Sequence, residues 1–255
     1  MMPKRMLTAL LAAVLLLPRV HAAAPRRLAA LTFDDGPCRR STAYLLEGLA
    51  KRGVRATFFL SGYRVDESPA LVRDIAAQGH EIAVHGQTHR YLRGMSEAGL
   101  REELGAETAR IRELTGTAPT LARPPCGFLD DGVRRYCREA GLAVILWSVD
   151  PEDWDTEKRK GAADFVTGKL ADGDVVLLHD MSRENADQAF AVIDRLQGEY
   201  RFCTVSELAR LRGVTLTPGE TYRRFREKTE ATEVASVHLI LPPRLLLRAP
   251  SAPWM

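Results

Sequence analysis

No two of the four cysteines, Cys38, Cys126, Cys137 and Cys203, form a CxxC pair, which removes zinc-knuckle and thioredoxin-type readings. The N-terminal apolar run, residues 6–17 broken only by Thr8, stops at Pro18 and falls short of the roughly 20 residues that cross a bilayer. With Lys4 and Arg5 before it and Ala22, Ala23 and Ala24 after it, the run reads as a secretory signal and not as an anchor. Residues 1–24 are therefore set aside as a signal peptide, and no stable membrane span is expected once it is cleaved. Net charge is also missing. Loss of residues 1–22 removes Lys4, Arg5 and Arg19 and no acid, leaving 33 bases against 33 acids. Without a basic stripe, nucleic acid is not an expected partner. Export, to the periplasm or the medium, makes one or two disulfides available in three complete pairings; four buried free thiols are the alternative.

At 255 residues the chain suits one α/β barrel of about 200–250 residues. From 28 to 212, short apolar or β-branched runs alternate with amphipathic stretches in a βα rhythm. Seven strands are expected, at 28–33, 55–60, 81–84, 120–123, 143–149, 174–179 and 202–205. Between them, Leu45, Leu46 and Leu49 share one face of a helix that stops at Gly53. Ser68 and Pro69 open another helix. Leu100, Leu104, Ile111 and Leu114 lie at helical spacing. Continuously apolar strands such as 143–147 suit a barrel buried on both faces, with an open doubly wound sheet as the alternative. The domain is expected to occupy 25–220. Residues 221–255, charged and then rich in proline, are expected to form a tail without a packed element.

Chemistry gathers at the expected strand ends, which in a βα barrel form the active face. The first strand runs into Asp34 and Asp35, adjacent carboxylates that repel unless a cation is near; an Asp-Gly-Pro turn with capping acids is the bland alternative. The third runs into His85 and His89, four apart on one face of a turn, so both imidazoles can reach one ion. Half of the six histidines fall between residues 80 and 89. One Asp with two His leaves coordination positions open, as in catalytic zinc sites. Arg123 to Gly127, Asp150 to Trp154 and Leu177 to Asp180 follow three further strands. Each has an ordinary surface explanation; five such strand ends together do not, because plain loops favour Gly, Ser and Lys.

These residues resemble the polysaccharide deacetylases, the NodB homology domain or carbohydrate esterase family 4. The family's ordered motifs, TFDDGP, H[ST]xxH, RxPxG, DxxDW and LxLH, are matched by residues 32–37, 85–89, 123–127, 150–154 and, more loosely, 176–179. The resemblance spans about 28–212 and implies a distorted (β/α) barrel with one divalent ion, zinc or else cobalt or manganese, and an acetylated carbohydrate as partner. It implies that Asp35, His85 and His89 bind the ion and that Asp34 is the general base, oriented by Arg123. His179 would be the general acid, tuned by Asp153. Trp154 and Leu177 would wall the acetyl pocket, and the Cys126 amide would face the oxyanion. The implied reaction is release of acetate from an N-acetylated amino sugar. An O-acetyl esterase or small-amide amidase of the same fold is an alternative; so is a non-catalytic sugar-binding module, whose usual mark, a lost ligand or base, is absent here. Two departures stand out. Gly86 replaces the usual Ser or Thr, removing a hydroxyl that would stiffen the metal loop, and Cys126 replaces the common Tyr. Cys38 follows the first motif and Cys126 lies in the third, so the implied Arg123–Asp34 contact suggests a Cys38–Cys126 disulfide. No accessory carbohydrate-binding segment names the polymer, and nothing sets an oligomeric state.

Overall fold

The structure, a computed structural model, describes residues 27–226; the expected signal peptide and residues 227–255 of the expected tail lie outside the described residues. In chain order the elements are β1 (Arg27–Asp34), α1 (Ser41–Arg52), β2 (Thr57–Leu60), α2 (Gly62–Glu67), α3 (Pro69–Ala77), β3 (Glu81–Val84), α4 (Glu97–Leu100), a π-turn (Arg101–Gly105) and α5 (Ala106–Thr115). They continue with β4 (Leu121–Ala122), a 3-10 turn (Pro125–Gly127), α6 (Asp131–Glu139), β5 (Ala143–Ile145), α7 (Thr156–Arg159), α8 (Ala162–Lys169), β6 (Asp174–His179), α9 (Arg183–Leu196), β7 (Tyr200–Cys203), α10 (Val205–Leu211) and β8 (Thr221–Tyr222). All strand pairs are parallel, in the order β6-β1-β2-β3-β4-β5-β8, with β7 also on β1. A parallel bridge from Val149 to Val176 joins the segment after β5 to β6 and curls the sheet round. This is the expected distorted (β/α) barrel.

Because successive strand residues point to opposite faces, the apolar strands feed two cores. Leu31, Phe33, Phe58, Leu60, Val84, Val144, Val176 and Leu178 face outward against helix residues such as Leu45, Leu49, Ile75 and Ile193. Ala30, Phe59, Ala83, Leu121, Ala143, Ile145, Val175 and Cys203 face inward and meet Val205, Leu208 and Ala209 of α10. Thr57, at the start of β2, accepts the Val205 N–H at 2.9 Å, so α10 closes the end of the barrel where the strands begin. The inward positions at the other end are polar and buried: Thr32, Asp34, Arg123 and His179. One end of the barrel is a hydrophobic plug and the other is a polar mouth.

The ordered fold continues past residue 220, where the sequence places the start of the tail. β8 pairs with β5, the backbone of Phe225 donates to the Gly173 carbonyl at 2.7 Å, and the Phe225 ring is 1% exposed in the inner core, stacked on Tyr222. Gly173 has φ of 83°, and a β-carbon there would meet the Phe225 carbonyl oxygen at 1.9 Å, so only glycine admits this closure. A two-residue strand among Arg223, Arg224 and Arg226 carries too little periodicity to be legible, although Arg224 is paired with Asp174. Phe225→Ala is expected to lower the unfolding free energy by about 3 kcal/mol, read from urea unfolding; an unchanged midpoint would contradict this packing.

Candidate active site

Arg123 is the centre of the polar mouth and is fully buried. Its Nη1 donates to Asp34 Oδ1 at 2.6 Å and Thr32 Oγ1 at 2.9 Å, Nε to the Ile145 carbonyl at 3.0 Å, and Nη2 to the Leu146 carbonyl at 3.3 Å. The guanidinium lies 3.9 Å from the centroid of the Phe59 ring. Burial lowers its pKa, and the Asp34 carboxylate opposes that shift. A charge taken this far from water is tolerable only when paired and hydrogen-bonded throughout, and Arg123 meets that condition. The cost of this arrangement falls on Asp34, whose Oδ1 is committed to the arginine.

Asp35 is turned away by the backbone, which enters the left-handed region immediately after β1 with φ of 70°. Its Oδ1 lies 3.0 Å from His89 Nε2 and 3.5 Å from His85 Nε2, and the three ligand atoms fall within 4.8 Å of one another. A tetrahedral ion with bonds of 2.0–2.2 Å sets ligand-to-ligand edges of about 3.4 Å, and the two edges from Asp35 lie near that length. Asp35 Oδ1 is also buried without a hydrogen-bond donor of normal geometry, which leaves an acceptor suited to a cation. Burial opposes ionisation of Asp35, but the His89 and His85 rings outweigh it and hold the carboxyl down to about 2. Burial depresses the pKa of His85, favouring the neutral ring that a ligand requires. His85 Nδ1 lies 2.7 Å from the Arg123 carbonyl; donating there leaves Nε2 with its lone pair towards Asp35. Asp34 Oδ2 borders the cluster, 3.6 Å from His85 Nε2.

On the opposite wall, His179 ends β6 and holds Asp153. Its Nδ1 is 2.6 Å from Asp153 Oδ1 and its backbone N–H donates to Asp153 Oδ2 at 3.0 Å. Burial disfavours the imidazolium, yet the contact with Asp153 and the fields of Asp34 and Asp35 prevail and raise the pKa of His179. Leu177 lies two residues back on the same inward face, buried, while Trp154 is exposed. Cys126 sits in the turn after β4 with φ of 57°. The non-glycine residues with positive φ among the described residues are Asp35, His89, Cys126 and Glu152, each inside one of the strand-end motifs. Strain gathered in this way marks a site over-determined by its surroundings.

The structure keeps some sequence-marked residues out of the site. His80 is buried at the start of β3, its Nδ1 accepting the Ala56 N–H at 3.1 Å, so it serves the scaffold. The disulfide suggested between Cys38 and Cys126 is not formed, and all four cysteines are free. Cys137 and Cys203 are core thiols, each pushed up to about 12 by burial.

Three supporting residues escaped the sequence reading. Glu107, fully buried, accepts the backbone N–H groups of His85 at 3.1 Å and Gly86 at 2.7 Å. Glu103, in the π-turn, accepts the Thr88 N–H at 2.8 Å and the Thr88 hydroxyl at 2.6 Å. Together they fasten the loop at Gly86, whose φ of 101° strains any side chain. A signal for Glu107 existed: it stands on the buried stripe between Leu104 and Ile111, where an apolar residue belongs. Asn185, fully buried, donates Nδ2 to Asp153 Oδ2 at 2.8 Å and receives the Ser182 hydroxyl on Oδ1 at 2.8 Å; nothing in the sequence sets it apart.

The family model "Polysaccharide deacetylase" matches residues 21–145. Peptidoglycan-N-acetylmuramic acid deacetylase PdaC of Bacillus subtilis is 35% identical over 76% of this chain and 42% of its own length. A peptidoglycan-N-acetylglucosamine deacetylase of Bacillus cereus is 36% identical over 72% of this chain and 89% of its own length. The chain thus spans less than half of the first relative and most of the second. Among solved structures, a family 4 acetyl xylan esterase from Clostridium thermocellum, in complex with a cobalt ion, is similar with a TM-score of 0.73 and 30% identity, covering 78% of this chain and 98% of that one.

Glu107→Ala leaves the Gly86 amide buried without an acceptor, while the His85 amide keeps the Leu60 carbonyl at 2.9 Å, and is expected to cost about 1–3 kcal/mol in urea unfolding, with Glu107→Gln, which keeps one acceptor oxygen, losing less. Equal stability of all three proteins would show that the clamp contributes nothing.

Proposed function

The chain belongs to the polysaccharide deacetylase family, and on that premise we propose that it is a metal-dependent hydrolase that removes N-acetyl groups from amino sugars of a polysaccharide or oligosaccharide, releasing acetate. It acts after export, in the periplasm or the medium. The observation that carries the reading is the separation of the two adjacent acids, Asp34 held by Arg123 and Asp35 turned to His85 and His89. A general base and an ion site are thereby built from neighbouring residues.

Asp35, His85 and His89 would hold the ion, zinc by the Asp-and-two-His donor set, with cobalt or manganese as alternatives. The ion when bound would acidify a water and polarise the acetyl carbonyl. Asp34 takes the proton of the attacking water on Oδ2 while Arg123 fixes its Oδ1. The developing oxyanion faces the Cys126 amide, a donor worth about 100- to 1000-fold in rate where one has been removed. His179, its Nδ1 on Asp153, gives a proton to the departing amine, which leaves too poorly without it. Asn185 holds the second Asp153 oxygen and so keeps that ring directed. Leu177, two residues before His179 on β6, and Trp154, next to Asp153, would bound the acetyl methyl.

The acetyl xylan esterase among the structural relatives supports a second reading, an O-acetyl esterase, since the same base and acid serve an ester. A non-catalytic sugar-binding module is disfavoured because the three ligands, Asp34 and His179 are all present with their supporting contacts.

Acetate release from chitooligosaccharide, peptidoglycan and acetylated xylan distinguishes these readings. Release from the amino-sugar substrates is expected to vanish with chelator, return with zinc, and fall at least about 100-fold in Asp34→Asn; full activity in chelator or in Asp34→Asn overturns the reading. The proton donor must be charged, so kcat/KM falls as pH rises through the raised pKa of His179. Asp153→Asn removes the anion that raises it and is expected to move that alkaline limb to lower pH; an unmoved limb assigns it to another group.

A further inference from the structure

Among the described residues, six large hydrophobic side chains are exposed: Tyr63, Tyr91, Phe128, Trp154, Phe165 and Leu211. Single exposed apolar residues are ordinary. Here four of the six, Tyr63, Tyr91, Phe128 and Trp154, stand on the segments that leave β2, β3, β4 and β5 at the mouth of the barrel. The other two lie on α8 and α10. Trp154 belongs to the motif already described. Tyr91 and Phe128 do not, and they form a pair of their own, with ring centroids 5.4 Å apart and planes at 68°. Tyr91 is 61% exposed and Phe128 47%.

The two rings are carried by stiff backbone. Leu92, next to Tyr91, is fully buried, and Leu129, next to Phe128, packs against the outer core. The Gly94 N–H donates to Asp130 Oδ2 at 2.7 Å, tying the two segments together, and Asp130 also caps α6 through the Val133 N–H at 2.8 Å. Arg90 is bound to Glu103 at 2.8 Å. Each ring therefore sits beside an anchored residue and within two positions of His89 or Cys126, yet faces solvent.

We propose that Tyr91 and Phe128 form a pyranose-stacking subsite that holds a neighbouring sugar of the glycan, not the acetylated sugar undergoing reaction. The identity of the ligand rests on the deacetylase reading. A pyranose presents an apolar C–H face and a hydroxyl-bearing edge; two rings at 68° make a corner that receives one of each, and the tyrosine hydroxyl can bond the edge. Because the loops are already ordered, binding incurs little entropy cost there. The subsite would hold a polymer beside the reacting sugar, and it makes chain length a determinant of turnover.

The test uses the full zinc-loaded chain and Tyr91→Ala/Phe128→Ala. Substrates are the dimer and hexamer of N-acetylglucosamine and the small ester 4-nitrophenyl acetate, and hexamer binding is measured separately by calorimetry. For the double variant, hexamer KM and Kd are expected to rise about tenfold, the size of a truncated aromatic anchor, with kcat and ester hydrolysis unchanged. Unchanged hexamer affinity overturns the subsite, as does an equal loss on hexamer and ester, or a wild-type chain that binds no hexamer. If wild type binds hexamer and the variant binds it weakly, but no acetate is released, the subsite stands and the deacetylase reading fails.

Discussion

A single buried ion pair organises the mouth of this barrel. Taking a guanidinium and a carboxylate out of water costs several kcal/mol per ion, and the structure offsets this by giving Arg123 acceptors from two strands or their continuations: Asp34 and Thr32 on β1, and the Ile145 and Leu146 carbonyls at the end of β5. The Phe59 face covers it from β2. The arginine is thus a crosspiece between opposite walls of an imperfect barrel. Its consequence for chemistry is the unequal fate of Asp34 and Asp35, which share a sequence position type and nothing else. The backbone turn that makes φ positive at Asp35 separates the two carboxylates, and the crosspiece keeps them separate.

The same economy recurs on both sides. Asp153 spends one oxygen on the His179 ring and the other on the His179 N–H and Asn185, so the ring cannot swing without breaking several bonds. Glu107 and Glu103 do the corresponding work for the loop of His85 and His89. Gly86 lacks the hydroxyl usual at that place, but its φ of 101° is a conformation that a serine would resist, and carboxylates from the π-turn and α5 hold the loop from outside. A π-turn adds a residue to the helical circuit and often accompanies function; here it carries Glu103 to the loop.

How much of this was legible in the sequence follows from the range of each interaction. Strands such as Glu81–Val84 and Asp174–His179 were readable to the residue, because apolar runs between caps are local signals. The motifs were readable because each occupies one strand end. Contacts across the barrel were not. Glu107 looked like one acid among many on an amphipathic helix, Asn185 like a residue in a helix's first turn, and β8 like part of a charged tail. The Cys38–Cys126 pairing was inferred from a side-chain contact, which does not fix the distance between two backbones, and both thiols are free in the structure.

Division of labour between the adjacent acids is measured most directly by titrating zinc into the metal-free wild type, Asp34→Asn and Asp35→Asn, with acetate release assayed in parallel. Asp35→Asn is expected to weaken zinc binding by at least about 100-fold, whereas Asp34→Asn retains zinc and loses turnover. Equal weakening in both variants would contradict the account, since Asp34 would then be a ligand and not a base held apart by Arg123.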